Sequence, residues 1–497
     1  MNKILTVIVV FLLPLISCSD DSSNNNHLNN NNNLNNTNNL NNTNNLNNLN
    51  NLNNESDFET IIEVGPGKEY ADPCEVPWEA LQPSTLVKIY YRQTPYRCKF
   101  VLNTAALENS PLVVRGVADS SGHLPHISGE DAQTPQNLDY WNENRSVIKI
   151  GGVSHSDDFP AWIIIENLII SGAHPDNSFT DDSGNNNNYS DNAASIHVEE
   201  GSNIIVRGCE LYGSGNGLFA GDLTSNLLIQ KNYIHSNGIV DSWYEHNSYT
   251  ESFGIIFEFN HYGPLCSGCL GNNLKDRSAG TIIRYNWIEA GNRTLDLVDS
   301  GNSDFIDSSS YNQTFVYGNI LIKHDVEENG QVLHYGGDSG NSDNYRKGLL
   351  WFYNNTVISY RSGNTTLLGL STQGENANAF NNIVHNVVGG EYLAVSSGEG
   401  TISLHHNYLS SNWREVHGTL NGEIFAEENI SGVDPGFLDY ENMDFHLNEQ
   451  SPVRDKACDL PSELLPDHLL NYEYVPHQIY QQRDFPNHSD LGAFEGK

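Results

Sequence analysis

Lysine and arginine are rare in this chain of 497 residues, yet four of its 24 basic residues fall within one short stretch. They are Lys275, Arg277, Arg284 and Arg293. Because the formal net charge of the chain is −38, a local group of cations implies a nearby negative partner. The partner is either the surrounding carboxylates or an anionic ligand, and the sequence leaves both open.

Other residue types able to move protons or bind ligands lie on either side of this stretch. His261 and Tyr262 form one candidate acid/base pair, although such a histidine is more often structural. A second polar interruption, which we expect to line the same groove, contains His334, Tyr335, Asp338 and Arg346. Oxygen ligands for calcium could come from Glu251, Glu258, Asp296 and Asp299, but their spacing matches no recognised calcium loop.

The elements that must position these residues are indicated by a pattern that returns at least eight times: apolar, two residues, a polar or small residue that is usually Asn, one residue, apolar. The copies are Ile164…Asn167…Ile169, Val206…Cys209…Leu211, Ile229…Asn232…Ile234, Ile283…Asn286…Ile288, Val316…Asn319…Leu321, Phe352…Asn355…Val357, Ala379…Asn382…Val384 and Leu404…Asn407…Leu409. The two apolar positions are five residues apart, so both can face inward only if the chain bends between them. Asn tolerates left-handed backbone, so we expect the bend at the Asn.

Stacking such copies predicts an all-β solenoid, a right-handed parallel β-helix with an Asn at one corner of each coil. The alternative is a β-sandwich with short hairpins, but the Asn-Gly turns that such hairpins favour are largely missing. We expect a single solenoid domain over residues 58–497, and we expect it to be monomeric.

The position two before each corner faces outward in this scheme and forms a row along one sheet. Its members are Ile165, Arg207, Gln230, Arg284, Tyr317, Tyr353, Phe380 and His405. Flat rings and forked donors suit an extended sugar polymer that bears carboxylates, so Arg207, Gln230, Tyr317 and Tyr353 are predicted to bind substrate. Ordinary cross-strand stacking on an exposed sheet is the alternative.

The N-terminus predicts export. Lys3 precedes an apolar stretch too short to span a bilayer, and Leu15-Ile16-Ser17-Cys18 resembles the lipobox of bacterial lipoproteins, whose cysteine is lipidated. Residues 1–17 are therefore predicted to be a lipoprotein signal peptide, and a plain secretory peptide with an incidental Cys18 is the alternative. Residues 18–57 are mostly Asn and predict a disordered tether, so the only membrane attachment that we expect is the lipid, in the periplasm or at the cell surface. The acidic composition argues against nucleic-acid binding.

Six cysteines remain after Cys18, an even number that suggests disulfides in an exported protein. The first pairs that we would test are Cys74 with Cys98 and Cys266 with Cys269. A zinc site at Cys266 and Cys269 would lack the second ligand pair that structural zinc needs.

Several segments together resemble a known superfamily. Val64-Gly65-Pro66-Gly67-Lys68-Glu69-Tyr70 is similar to the opening of exported β-helix proteins, where a short helix, here near residues 77–81, covers the first coil. Asp434-Pro435-Gly436-Phe437 and Leu491-Gly492-Ala493-Phe494-Glu495 resemble their closing segments, and Lys275-Asp276-Arg277-Ser278-Ala279-Gly280 resembles a recurrent segment in one branch. The ordered part thus resembles the pectate-lyase-like superfamily, which includes polysaccharide lyases, hydrolases, epimerases and proteins without known activity.

This resemblance implies cleavage of an acidic, uronate-containing polysaccharide by β-elimination, with Lys275 as the base, assisted by Arg277, and Arg284 or Arg293 holding the uronate. For this role the pKa of Lys275 must be depressed, and we expect the neighbouring cations to depress it. Calcium is a possible cofactor, but Asn272 and Asn273 stand where related lyases carry glutamates. Two alternatives are glycoside hydrolysis by a pair among Asp296, Asp299 and Asp338, and glycan binding without cleavage.

Overall fold

The computed structural model describes residues 54–153, 158–325, 329–483 and 490–496. The predicted signal peptide, most of the tether and Cys18 lie outside these residues, so the lipid anchor stays a prediction. No helix within the described residues is long and apolar enough to cross a membrane. The predicted β-helix is confirmed, because almost all strands pair in parallel and each strand pairs with the equivalent strand of the next coil.

Each complete coil contributes one strand to each of three parallel sheets. The first sheet contains β1 (Thr60–Val64), β2 (Thr85–Tyr90), β4 (Leu112–Val117), β8 (Ile163–Glu166), β12 (Ala194–Arg207), β14 (Asn216–Gln230), β17 (Phe253–Glu258), β20 (Ala279–Arg284), β23 (Gln313–Tyr317), β26 (Gly348–Tyr353), β29 (Glu375–Phe380), β32 (Thr401–His405) and β35 (Glu423–Glu427). The second sheet contains β5 (His126–Ser128), β9 (Ile169–Ser171), β13 (Glu210–Tyr212), β15 (Tyr233–His235), β18 (His261–Tyr262), β21 (Trp287–Glu289), β24 (Ile320–Lys323), β27 (Thr356–Ser359), β30 (Ile383–Asn386), β33 (Tyr408–Ser410) and β36 (Ile430–Gly432).

The third sheet precedes the first sheet in each coil. It contains β3 (Phe100–Leu102), β7 (Ser146–Ile150), β16 (Ser248–Thr250), β19 (Leu274–Asp276), β22 (Leu295–Leu297), β25 (Gln331–Tyr335), β28 (Thr365–Leu370), β31 (Leu393–Ser396) and β34 (Arg414–Val416), together with the first halves of β12 and β14. The two long strands β12 and β14 run through both sheets and join them. Short additional strands are β6 (Ala132–Gln133), β10 (Ser178–Thr180), β11 (Asn186–Asn188), β37 (Phe437–Asp439), β38 (Asp444–Leu447), β39 (Tyr472–Val475) and β40 (Ile479–Gln482).

Helical elements are few and short. The described residues contain one α-helix, Ser303–Ile306, and the 3-10 helices Glu55–Asp57, Pro73–Glu75, Trp78–Ala80, Glu143–Arg145, Ser309–Asn312, Gly390–Tyr392, Tyr440–Asn442 and Ser462–Leu464. Trp78 is buried and stacks on Phe100 with a centroid distance of 3.9 Å, so the predicted N-terminal cap is the Trp78–Ala80 turn. Both first-choice cysteine pairs, Cys74 with Cys98 and Cys266 with Cys269, are disulfide-bonded.

The corner between the first and second sheets is an asparagine ladder. The buried side chains of Asn232, Asn260, Asn286, Asn319, Asn355, Asn382 and Asn407 each accept the backbone N–H of the equivalent residue in the preceding coil. The left-handed residue is the one before each Asn, such as Phe259 and Tyr285 at φ +57° and +55°. The expectation that these ladder Asn residues take the left-handed conformation is therefore wrong. Their side chains instead hydrogen-bond to the backbone of the preceding coil.

The first copy of the repeat is shifted by one residue relative to the prediction. Ile165 pairs with Val206, and Ile170 pairs with Leu211, so the corner position of this coil is held by Leu168 and not by Asn167. Ile165 consequently lies in the inner core, whereas Ile164 faces outward. An Ile-Ile-Ile run reads equally well in two registers, and only pairing with the next coil selects one.

Residues 434–483 and 490–496, the C-terminal cover, pack on the outer faces of the first and second sheets. On the first sheet, the carbonyls of His468 and Leu469 accept the hydroxyls of Tyr353 and Tyr285 at 2.6 and 2.9 Å. On the second sheet, Phe445, Tyr474, Leu491 and Phe494 pack around Trp287, Ile320 and Ile358. The segments predicted to close the end of the solenoid therefore cover its sides.

Candidate active site

The outer face of the third sheet carries a continuous row of polar and aromatic side chains, the outer row. In register from coil to coil it contains Lys149, His197, Phe219, Tyr249, Lys275, Asp296 and His334. Within the described part of the chain, the C-terminal cover makes no hydrogen bond or ring contact with this row. Loops leaving both edges of the sheet contact it instead.

Lys275 lies at the centre of the outer row and is held between two carboxylates. Its ammonium contacts Asp296 at 3.0 Å and also Asp338, which comes from the loop after β25. Asp338 turns its other oxygen to Arg277, with an Nη2–Oδ1 distance of 2.7 Å. One carboxylate thus bridges the lysine and the arginine.

The charge state of Lys275 differs from the prediction. Burial lowers the pKa of Lys275, but the adjacent Asp296 and Asp338 carboxylates raise it more, and the net shift is upward. We expected neighbouring cations to depress this pKa. The prediction considered only the arginines that lie near Lys275 in the sequence. The carboxylates of Asp296 and Asp338 lie closer to it in space.

Asp296 is fully buried and collects donors from four side chains. His334 Nδ1 lies 2.7 Å and Arg293 Nη1 3.2 Å from one oxygen, while Asn272 Nδ2 lies 2.7 Å from the oxygen that also contacts Lys275. Burial raises the pKa of Asp296, but the hydrogen bond from His334 and the surrounding cations hold it well below its usual range. Asp296 is therefore ionised at all ordinary pH values.

His334 continues this network to Ser371. Its Nε2 lies 2.9 Å from the Ser371 hydroxyl, which also accepts the Gly337 N–H at 3.0 Å. The same hydroxyl lies 3.3 and 3.2 Å from the carbonyls of Tyr335 and Gly337. Because four polar neighbours surround this oxygen, Ser371 fixes the imidazole and leaves little room for its own attack on a substrate.

Arg277 and Tyr249 form the other contact pair beside Lys275. Arg277 Nε donates to the Tyr249 hydroxyl at 2.9 Å, and its Nη1 donates to the carbonyl of Asp299. The Lys275 ammonium lies 5.7 Å from the centre of the Tyr249 ring. Tyr249 is only partly buried, and its hydroxyl can carry a proton beside Lys275 and Arg277.

Several predicted site residues lie on other faces. His261 is on the second sheet with Nε2 2.8 Å from Glu289, and Tyr262 is fully buried in the core, where burial raises its pKa. Tyr335 points into the core and Arg346 is fully buried beside Asp276. These positions do not fit the predicted contact with substrate, because inward and outward residues alternate along a strand and the loops decide which face is exposed.

The predicted binding row on the first sheet is also not available to a polymer. Tyr317 and Tyr353 are fully buried beneath the C-terminal cover. Arg284 and Gln230 bind Glu258, while Arg207 binds Glu166. Apart from Ile165, the residues of this row face outward as predicted, but the C-terminal cover lies over Tyr317 and Tyr353.

The four predicted calcium ligands do not converge. Glu258 is ion-paired with Arg284 on the first sheet, and Glu251 accepts from Ser300 and Gly301. Asp299 accepts the backbone N–H groups of Asp338 and Ser339, and Asp296 is neutralised as described. In the part of the chain that the structure describes, none of the four belongs to a group of three potential metal ligands within 4.8 Å. These residues do not fit a common calcium site, and calcium enters no step below.

Sequence reasoning missed His197, Phe219 and Tyr249, and it gave Asn272 no contact within the site. The outward-facing residue of each third-sheet strand is the signal that could have found the first three. The spacing to the next ladder Asn is irregular, however: 11 residues from Lys275 to Asn286 but 23 from Asp296 to Asn319. Loops of different length between these sheets hide the row from any fixed period.

Comparison with known proteins adds information on the fold. No protein-family model matches the sequence, and no curated protein matches it. Similar solved structures include an alginate lyase from Paenibacillus sp. str. FPU-7 (10% identity, TM-score 0.40, covering 75% of this chain and 99% of that chain) and the pectate lyase Pel9A (10%, 0.45, 88% and 97%). A GH136 lacto-N-biosidase from Eubacterium ramulus is also similar (10%, 0.45, 76% and 68%). The strand pairing of the chain itself establishes the parallel β-helix.

Proposed function

We propose that this chain cleaves an acidic, uronate-containing polysaccharide by β-elimination on the outer row of the third sheet. The observation that carries the proposal is the carboxylate of Asp338, which bridges Lys275 and Arg277. A uronate carboxylate has the same chemistry, and it can take over the contact with Arg277 when the partly exposed Asp338 moves away. Asp338 is then an internal carboxylate at the substrate position.

The first requirement of β-elimination is to neutralise the uronate carboxylate, which makes the C5 proton more acidic. Arg277 carries a planar guanidinium, and burial lowers its pKa while Tyr249 and Asp338 raise it more, so it is always charged. With Asp338 displaced, Arg277 is free to take the uronate in its place.

The second requirement is a base near C5 and an acid near O4. Displacement of Asp338, one of the two carboxylates that raise the pKa of Lys275, lets the ammonium release a proton to solvent, and the neutral amine then takes the C5 proton. Electrons of the C5–H bond form the C4–C5 double bond as the C4–O4 bond breaks. The Tyr249 hydroxyl protonates the departing O4 and regains its proton from solvent.

Ultraviolet absorbance of the unsaturated uronate tests this proposal directly. The soluble domain is incubated with pectate, alginate, chondroitin or heparin, with and without calcium, and the product is followed for wild type, Lys275→Ala and the exposed-site control Lys456→Ala. We expect product for wild type and the control and none for Lys275→Ala. Equal rates for Lys275→Ala and wild type contradict the proposed base.

Glycoside hydrolysis is the second candidate, favoured by the contact of both Asp296 and Asp338 with one ammonium group. A hydrolase needs one carboxyl that stays protonated as general acid. The pKa of Asp338 and that of Asp296 are both lowered by Lys275 and its neighbours despite burial, so neither fits that role. New reducing ends without unsaturated product would nevertheless establish hydrolysis. The absence of both products would indicate that the protein binds glycan without cleaving it.

The proposed location is the bacterial surface or periplasm, with Cys18 lipidated and the β-helix on its tether. Cell fractionation tests this part separately. We expect wild type in the membrane fraction and Cys18→Ser in the soluble fraction; wild type in the soluble fraction contradicts the anchor.

A further inference from the structure

We propose that Arg145, His197 and Phe219 form a second anion-binding subsite on the outer row, which takes a carboxylate or sulfate of the same polymer two rungs from Lys275. This inference rests on the proposed function for the identity of the polymer. Its evidence comes from different residues, on the opposite side of Tyr249 from Lys275.

Arg145 ends the Glu143–Arg145 turn before β7, and its guanidinium carbon lies 4.8 Å from the centre of the Phe219 ring. Among the described residues, its buried Nε and Nη2 atoms have no hydrogen-bond partner, and no carboxylate lies within ion-pair distance. A desolvated guanidinium without a partner is costly to the fold, and a bound anion removes that cost. Burial also lowers the pKa of Arg145, as expected for this lack of pairing.

His197 is the second unpaired group. Its side chain is only 3% exposed, and Nδ1 has no hydrogen-bond partner within the described part of the chain. It lies beside Phe219 in register on the outer row, and the two rings meet edge to face at 5.0 Å. Two unsatisfied nitrogen groups therefore flank one partly exposed aromatic ring.

The local charge favours an anion although the chain as a whole is acidic. The carboxylate that most influences Arg145, Glu199, is already bound to the ammonium of Lys149. Glu200 also acts on Lys149, so both carboxylates lie beside that lysine, whereas Arg145 has no ion pair of its own among the described residues. A forked guanidinium binds carboxylate or sulfate oxygens, and the face of Phe219 offers a flat surface for a sugar ring.

The spacing relates this subsite to the proposed reaction. Phe219, Tyr249 and Lys275 are successive rungs of the third sheet. Strands lie about 4.8 Å apart, so the Phe219 and Lys275 rungs are about 10 Å apart. A polymer bound along the solenoid axis would reach both, whereas a disaccharide held at Lys275 and Arg277 would not. We therefore infer a preference for longer acidic oligosaccharides.

Binding calorimetry on the full chain tests the subsite without requiring turnover. The probes are size-defined galacturonate, alginate and chondroitin sulfate oligosaccharides, and every variant carries Lys275→Ala so that none is consumed. Loss of charge-assisted hydrogen bonds in Arg145→Gln is expected to weaken binding of the long oligosaccharide about 10-fold or more while the disaccharide is unaffected. Arg414→Gln, which removes an exposed arginine at the far end of the third sheet, is the matched control and is expected to change neither.

Arg145→Lys separates recognition from folding, because it keeps the charge and removes the fork; we expect an intermediate loss. Equal binding by Arg145→Gln and Arg414→Gln at both lengths overturns the subsite, as does an equal loss of affinity for both lengths. Length-dependent loss without any unsaturated product from wild type would sink the proposed reaction but keep the subsite. Unsaturated product from wild type, together with unchanged binding by Arg145→Gln, would support the proposed reaction and overturn the subsite.

Discussion

At the scale of single residues, Asp338 is the carboxylate that contacts both cations of the candidate site, Lys275 and Arg277. It supplies one of the two carboxylates at Lys275, and at Arg277 it is one of two carboxylates, the other being that of Asp299. Unlike Asp296, which is fully buried, its side chain is 30% exposed. The exchange that we propose with a substrate carboxylate therefore involves Asp338, while Asp296 stays in place.

The variant Asp338→Asn removes this competing charge. We expect uronate to bind more tightly, and we expect the pKa of Lys275 to fall because one of the carboxylates that raise it is gone. The optimum of the pH–rate profile should then move to lower pH and KM should fall. An unchanged KM and optimum would mean that Asp338 does not occupy the substrate position. Asp343→Asn, an exposed change in the same loop, is the control.

At the scale of elements, the asparagine ladder holds the coils in register. Asn319 accepts both the backbone N–H and the side-chain amide of Asn286, and its own amide donates to the Ile283 carbonyl at 2.9 Å and to Asn355. All of these groups are buried, so a missing Asn leaves several of them without partners.

Asn319→Ala should therefore be strongly destabilising. Each buried polar group left unpaired costs about 1–3 kcal/mol, and we expect the free energy of unfolding to fall by at least about 3 kcal/mol. Asn429→Ala at the partly buried end of the ladder is the control and should cost clearly less. Similar denaturant midpoints for the two variants would show that the ladder contributes little.

At the scale of the whole molecule, the C-terminal cover determines which outer faces remain open. Leu470 is fully buried against the first sheet, in a cluster with Tyr285, Tyr317 and Phe315. The cover thus packs on these outward aromatic rings, and within the described residues it makes no hydrogen bond or ring contact with the outer row of the third sheet.

Leu470→Ala tests this packing. We expect a loss of about 2–5 kcal/mol in the free energy of unfolding from the cavity and the lost burial. Leu465→Ala, five residues earlier and 47% exposed, should change stability by no more than about 0.5 kcal/mol. Equal effects in chemical denaturation would show that the cover is not part of the cooperative unit.

Buried neutral histidines make the molecule sensitive to acid. Burial lowers the pKa of His405 to about 4 and that of His468 to about 3, whereas the unfolded chain titrates near 6.5. Between these values the unfolded state binds more protons, so stability falls as pH falls. Glu289 acts in the same direction, because hydrogen bonds from His261 and His324 outweigh burial and lower its pKa to about 2.

His468→Phe removes one of these groups while keeping the stacking on Phe315. We expect its urea midpoint to change less than that of wild type between about pH 7 and about pH 4. The exposed His123→Gln serves as control and should follow wild type. A His468→Phe curve parallel to wild type would contradict the buried neutral state.

The sequence by itself determined the architecture and both first-choice disulfides, and it drew attention to the stretch around Lys275. Each copy of the repeat can be recognised within seven residues of sequence, and each coil packs mainly on the coils next to it. The basic cluster was also visible without structure, because cations are scarce in this chain. Lys275, Arg277 and Arg293 do lie in one network.

Only the tertiary structure decided which of the outward rows is open and which charges meet. Tyr317 and Tyr353 face outward as predicted, yet a segment more than 100 residues away covers them. Asp338 reaches Lys275 across 63 residues of sequence, and loops of unequal length bring Tyr249 and His334 onto the same row. Such contacts depend on how far each loop extends between coils, a property that residue types at fixed spacing do not encode.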